Sequence, residues 1–229
     1  RSTQGVSSAA ADVYKRQADE YSVQEQLDGA AAIEWLATQP WCTGKLGMYG
    51  SSYGGITAIQ AAMHAPPQLK AIAPMHAVAD RYGQDVHYHG GCLPVSESVS
   101  WPGRMVALNA LPPLPEIVGD DWEALWHERL EQTPQWSFDW LRHQTRDAYW
   151  QNGSLCDNWN AIQCPVFAIG GWADSYHHFV LQMLEHLLKN TAASLTLRYR
   201  DAGGWSALMH AAQVGSCLLY TSDAADDTP

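Results

Sequence analysis

The run Gly50-Ser51-Ser52-Tyr53-Gly54 constrains this chain more than any other stretch. It lies between a short apolar segment, Lys45-Leu46-Gly47-Met48-Tyr49, and an Ala-rich segment from Ile56 to His64. The first reads as a buried parallel strand, the second as a helix stopped by Pro66-Pro67. A strand that passes into a helix through Gly-x-Ser-x-Gly turns sharply, with the serine at the apex in a strained backbone conformation. Side chains two residues either side would clash, so glycine stands there. The turn exposes the serine hydroxyl and brings the next backbone N–H to a helix N-terminus, where developing negative charge is stabilised. Ser52 is therefore the expected nucleophile, and the Tyr53 N–H the expected oxyanion donor. Ser51 does not sit between the two glycines.

The flanking pattern alternates helix and strand. Leu27 to Leu36 carries Ala30, Ile33 and Leu36 on one helical face, with Pro40 just beyond. Leu69 to Met75 reads as a second buried strand. This order predicts a parallel α/β arrangement. From Arg81 to Asn160 the character changes. Trp122, Glu123, Leu125, Trp126 and Leu130 have helical spacing, and Trp136, Trp140, Leu141, Tyr149 and Trp150 follow. With 11 Trp against 3 Phe in the whole chain, these rings are expected to form the core of an inserted helical cap. Pro165 to Ile169 resumes the strand pattern, Gly170 to Asp174 is a turn, and Ser175 to Leu188 an amphipathic helix. The expected fold class is α/β: an incomplete parallel sheet of the α/β-hydrolase type with a helical cap inserted. Residues 18–80 and 161–190 form the two parts of the core, and 81–160 the cap.

In such sheets a catalytic acid follows a later strand, in the chain order Ser, acid, His. Asp174 occupies that position, although an aspartate there also suits a helix N-cap. The order leaves His177, His178, His186 and His210 for the base. The first three belong to Asp174's own helix, so His210 is the remaining candidate, in surroundings that break the earlier pattern. No metal or cofactor is expected. His87, His89 and Cys92 lack a second ligand cluster, and His127-Glu128 is followed by Glu131 where a zinc motif needs histidine.

Both ends of the chain are expected to be foreign. Asp12 to Gln17 and Cys217 to Ser222 can be encoded by the two strands of one DNA string resembling a sequencing-library adaptor. Residues 1–17 and 217–229 are set aside on that reading. The whole chain has a formal charge of -11. Removing Arg1, Lys15 and Arg16, with Asp12, Asp223, Asp226 and Asp227, leaves 10 basic and 20 acidic residues. That balance argues against nucleic-acid or anionic-membrane partners. Cys42, Cys92, Cys156 and Cys164 show no C-x-x-C spacing and no disulfide-scaffold density, which favours a reducing, cytoplasmic setting.

The joint pattern resembles the cocaine esterase and X-prolyl dipeptidyl aminopeptidase family of α/β-hydrolases. The matching stretches are Asp28-Gly29 through Ile33-Glu34-Trp35-Leu36, Gln39-Pro40-Trp41, and Gly47 through Gly55. Later come Asp147-Ala148-Tyr149-Trp150, Pro165-Val166 and Gly171-Trp172-Ala173-Asp174. The resemblance implies Ser52 as nucleophile, Asp174 as acid, a helical cap and a further jelly-roll domain. It implies hydrolysis of small esters, or of amides next to proline, through an acyl-enzyme, with acyl transfer to an amine as the alternative. A second oxyanion donor, a tyrosine hydroxyl from an upstream loop, falls outside this fragment. The family histidine sits in Gly-Pro-Trp-x-His after the next strand. Here Gly203-Gly204-Trp205-Ser206 stands instead, and a frame change over Ala202 to Leu208 would allow Gly-Leu-Val-Gly-Pro. Residues 191–216 are thus expected to be out of frame, and the chain inactive by itself for want of a histidine.

Overall fold

The computed structural model of the protein describes residues 19–133 and 136–187, together with the backbone of strands at 195–201, 204–206 and 217–221. Six strands form one sheet: β1 (Leu46–Ser51), β2 (Leu69–Met75), β3 (Val166–Gly171), β4 (Leu195–Asp201), β5 (Gly204–Ser206) and β6 (Cys217–Thr221). Their lateral order is β5-β4-β3-β2-β1-β6. All neighbours are parallel except β4 and β5. The strands predicted at Lys45–Tyr49, Leu69–Met75 and Pro165–Ile169 are β1, β2 and β3, side by side.

The short apolar runs become strands because they bury a continuous apolar face of the sheet. Leu46, Met48, Ile72, Val166 and Ala168 are all buried. The helix at Tyr53–Met63 returns the chain from β1 to β2 and buries Ile56, Ala58, Ile59, Ala61 and Ala62. Its Ala content lets it approach the sheet closely, and Gly55 closes the gap further. A Cβ on Gly55 would lie 2.7 Å from the Met75 carbonyl oxygen and 3.0 Å from the Ala77 Cβ. The earlier helix, Val23–Ala37, is capped by the Ser22 hydroxyl, which accepts from the Glu25 N–H at 3.2 Å. It buries Ile33, the centre of its predicted face.

Between β2 and β3 the chain makes a helical insertion with helices at Val95–Asn109, Trp122–Gln132, Trp136–Arg142 and Ala148–Gln151 among others. Trp136, Trp140 and Trp150 pack with Tyr88 in a core of their own, as the Trp spacing led one to expect. The insertion is tied down where it returns. The Cys156 N–H donates to the Ala79 carbonyl at 2.9 Å, and the Arg81 guanidinium donates to the Asn152 carbonyl at 3.0 Å.

β6 pairs with β1 from Leu46↔Cys217 to Gly50↔Thr221. Cys-Leu-Leu-Tyr-Thr is a strand-forming composition whatever its origin, and an unpaired strand edge takes up such a segment readily. Likewise β4, inside the stretch expected to be out of frame, adds to β3 as a parallel strand.

Candidate active site

Register places the site. Ser51 is level with Met75, and Met75 is level with Ile169, so β1 and β2 end at the same height and β3 runs two residues further, to Gly171. The residues that follow these ends stand in a row along the C-terminal edge of the parallel strands, where such sheets carry function.

Ser52 follows β1 and adopts φ 53°, ψ −119°, an unfavourable conformation for any residue with a side chain. It sits at the N-cap position of the Tyr53–Met63 helix, where serine ordinarily folds its hydroxyl back onto the helix. Here it makes no such bond. The strain is held by the Ser52 N–H donating to the Met75 carbonyl at 3.0 Å and by the Ile56 N–H donating to the Ser52 carbonyl at 3.0 Å. The backbone thus presents the hydroxyl instead of consuming it as a cap. Tyr53 opens the helix, so its N–H lies outside the helix's own i→i−4 ladder and at the positive end of the dipole.

The Tyr53 side chain anchors the turn from below. Its hydroxyl donates to Glu25 Oε1 at 2.7 Å, and its ring stacks on Tyr21 with centroids 4.4 Å apart. Burial of Glu25 pushes its carboxyl above the usual range, while the Tyr53 hydrogen bond and the backbone of Tyr21 work against that rise. Sequence reading took Tyr53 for its backbone alone.

Asp174 follows β3 through the turn Trp172-Ala173, and its two carboxylate oxygens do different work. Oδ1 accepts from the Tyr176 N–H at 3.1 Å, the local turn bond that the N-cap alternative anticipated. The helix itself begins later than predicted, at His178, because Asp174 and His177 close a separate turn (His177 N–H to Asp174 O, 3.2 Å). Oδ2 faces His76 Nδ1 at 2.5 Å. Burial pushes the Asp174 carboxyl up, but the His76 hydrogen bond, the Tyr176 N–H and the charges of His76 and His177 outweigh it, so the carboxyl titrates below its ordinary value. In return, the hydrogen bond to Asp174 raises the His76 imidazole above its ordinary value despite partial burial.

His76 was not among the sequence candidates, because chain order restricted the search to histidines after Asp174. The structure brings a histidine from before Asp174 to its carboxylate: His76 immediately follows β2, between the strand that leads to Ser52 and the strand that leads to Asp174. Its φ of 46° is left-handed, like that of Ser52, and its N–H donates to the Ile169 carbonyl at 3.2 Å. Its side chain is 47% exposed against 14% for Asp174. Among the described residues no hydrogen bond joins His76 to the Ser52 hydroxyl. His177 turns its Nδ1 to the backbone carbonyl of Asp174 at 2.9 Å, away from the carboxylate. His210 lies outside the described residues.

A second polar cluster lies buried nearby. His87 bridges Glu20 (Nε2 to Oε1, 2.9 Å) and Asp85 (Nδ1 to Oδ2, 3.1 Å), and Arg81 lies 3.6 Å from Glu20. The atoms of Glu20, Asp85 and His87 are close enough to hold a cation. Arg81 and a protonated His87 already balance the two carboxylates, so the donor set is better suited to an ion-pair network than to a metal. Burial depresses His87, but the charges of Glu20 and Asp85 overcome it and hold the imidazole up at about 10. His89 and Cys92, grouped with His87 by sequence, pair with each other through their backbones at 2.9 and 2.8 Å.

Comparisons with known proteins bear on the family and the fold. Residues 13–201 match the family described as X-Pro dipeptidyl-peptidase (S15 family). A cocaine esterase from Rhodococcus sp. (strain MB1 Bresler) is 29% identical over 204 residues, covering 80% of this chain and 35% of that protein. A CocE/NonD family hydrolase from Staphylococcus aureus superposes with a TM-score of 0.56 at 22% identity, over 81% of this chain and 29% of that one. An α-amino acid ester hydrolase gives 0.51 at 22% identity, over 78% and 32%. At these identities the two structures speak for the α/β-hydrolase fold. The chain spans about a third of the length of the relatives it matches.

Proposed function

Since the chain belongs to the X-Pro dipeptidyl-peptidase (S15) family, we propose that it is the nucleophile-bearing part of a serine hydrolase acting on small esters or on amides next to proline. The observation that carries this reading is the backbone of Ser52, strained at φ 53° with its hydroxyl left out of the helix cap. Strain of this kind is maintained where a function needs it. Ser52 Oγ attacks the substrate carbonyl, and the Tyr53 N–H stabilises the oxyanion that forms. Asp174 orients a histidine and stabilises its protonated form. The leaving alcohol or amine departs with a proton, and water then releases the acyl group. An amine in place of water would make the same acyl-enzyme a transferase. The helical insertion between β2 and β3 is assigned the role of a cap shaping the acyl pocket.

In the full-length parent, Ser52→Ala should abolish hydrolysis of p-nitrophenyl acetate and of an Xaa-Pro p-nitroanilide. Asp174→Asn should lower turnover by about 10⁴-fold. A loss under tenfold in a folded Asp174→Asn variant would leave Asp174 as a turn residue only.

A further inference from the structure

An oxyanion donor works by standing in place before the charge forms, so that nothing has to reorganise during the reaction. We propose that Glu25 is a positioning residue for that donor: bonded to the Tyr53 hydroxyl, it fixes the elbow residue whose backbone N–H meets the developing charge. The assignment rests on the reading of Ser52 as nucleophile and of the Tyr53 N–H as oxyanion donor. It brings into the machinery a residue far outside the elbow, on the helix at Val23–Ala37.

Tyr53 is the first residue of its helix and follows the strained Ser52. The first N–H groups of a helix have no partner in its own ladder. The aim of this one therefore depends on what fixes the residue that carries it. Tyr53 is fixed through its side chain. Its hydroxyl donates to Glu25 Oε1 at 2.7 Å and accepts from the Tyr21 N–H at 3.5 Å. Its ring stacks on that of Tyr21, with centroids 4.4 Å apart and planes 23° from parallel. The side chain is thus held at its tip and on one face. Each support is itself held. Glu25 lies in the first turn of its helix, where the Ser22 hydroxyl accepts from its N–H at 3.2 Å. Tyr21 is buried and left-handed, at φ 52°. Its carbonyl accepts from Gln26 Nε2 at 2.9 Å and from Asn152 Nδ2 at 3.0 Å. A strained backbone with a buried ring persists where its surroundings over-determine it, and here the ring bears on the elbow. Burial, then the charges of Glu25 and Glu20, push the Tyr53 hydroxyl well above its usual range, so it stays protonated and keeps donating to Glu25.

Both halves of the reaction pass through a tetrahedral oxyanion, one formed by Ser52 Oγ on the substrate carbonyl and one by water on the acyl-enzyme. A Tyr53 free to rock would carry its N–H away from both. The bound substrate bears no such charge, so the loss belongs to kcat and not to KM. Misplacing a catalytic group by about 1 Å can cost about 10²-fold.

The test measures kcat and KM for p-nitrophenyl acetate in the full-length parent, with folding followed by circular dichroism. Glu25→Ala is expected to lower kcat about 10- to 100-fold while KM stays within about twofold. Glu25→Gln keeps an oxygen that can accept from the Tyr53 hydroxyl and should recover most of that loss. Tyr53→Phe removes the hydroxyl alone and should match Glu25→Ala. The double variant should be no slower than either single one, because both remove the same contact. Wild-type kcat in folded Glu25→Ala would overturn the assignment. A Glu25→Gln as slow as Glu25→Ala, or losses that multiply in the double variant, would overturn it too. If Glu25→Ala does not fold, Tyr53→Phe decides, and an unchanged kcat there counts against Glu25. Hydrolysis that persists in Ser52→Ala would instead sink the proposed function itself.

Discussion

The Tyr53–Met63 helix and the helices of the insertion show two ways of holding a helix. The first buries eight of its eleven residues, among them Ile59 at 1% exposure. In the insertion, Val95–Asn109 buries Pro102 alone, and Trp122–Gln132 buries none of its residues. Val95 and Val99 are 71% and 69% exposed. Burial distributed along a helix makes nearly every position matter. The insertion concentrates its hold in a few anchors: Trp136, Trp140 and Trp150 against Tyr88, and the polar ties of Arg81. The core fixes the row of strand ends on which the site stands, whereas the insertion depends on that core for its attachment.

The largest effect tests whether the anchors are as decisive as the core. Phe179 and Trp150 are 1% and 0% exposed, one under β3 and one in the insertion. Each changed to Ala should cost about 3–5 kcal/mol in urea unfolding. Trp150 also loses the hydrogen bond from its indole N–H to the His143 carbonyl, 2.6 Å long. A cost below about 1 kcal/mol for Trp150→Ala alone would break the comparison.

An intermediate effect follows from the buried ion network that joins the two regions. His87 is held near 10 in the fold by Glu20 and Asp85, against about 6.5 in an unfolded chain. A raised value means that its stabilising contribution is complete below about pH 6.5 and is lost as pH rises toward 10. The melting temperature should therefore fall between pH 6.5 and 10. His87→Gln should melt lower than the parent at pH 6 and show a flatter decline. An equally steep decline in the variant would assign the pH dependence to other groups.

The smallest effect is expected on the open face of the insertion. Val99→Ser should change stability by less than about 0.5 kcal/mol, the ordinary range for a surface substitution. A larger loss would mean that this helix has a packed face in solution.

Much of the fold was legible along the chain. β2 runs over Leu69–Met75 as read, and β1 and β3 differ from their predicted ranges by one or two residues at each end. Short apolar runs between glycine and proline signals allow little else. The late start of the last helix was not legible, because the Asp174 turn draws on local hydrogen bonds that spacing does not report. The role of the Tyr53 side chain was hidden for a similar reason: Glu25, its partner, lies 28 residues away.

The sequence by itself determined the elbow, since Gly-x-Ser-x-Gly between a strand and a helix permits one sharp turn and one exposed serine. It also determined that an acid would follow a later strand, and that the Trp-rich stretch would pack on itself. Which histidine meets that acid was decided only by tertiary structure. His76 and Asp174 are 98 residues apart and in the reverse of the expected order. Lateral neighbours in a parallel sheet are set by which strands pair and in what register, and the helical insertion between β2 and β3 separates in sequence what the sheet places side by side. The buried network followed the same logic. Nothing in the spacing of Glu20, Arg81, Asp85 and His87 foretold that their charges would balance, because removal from water and mutual approach act only once the chain has closed around them.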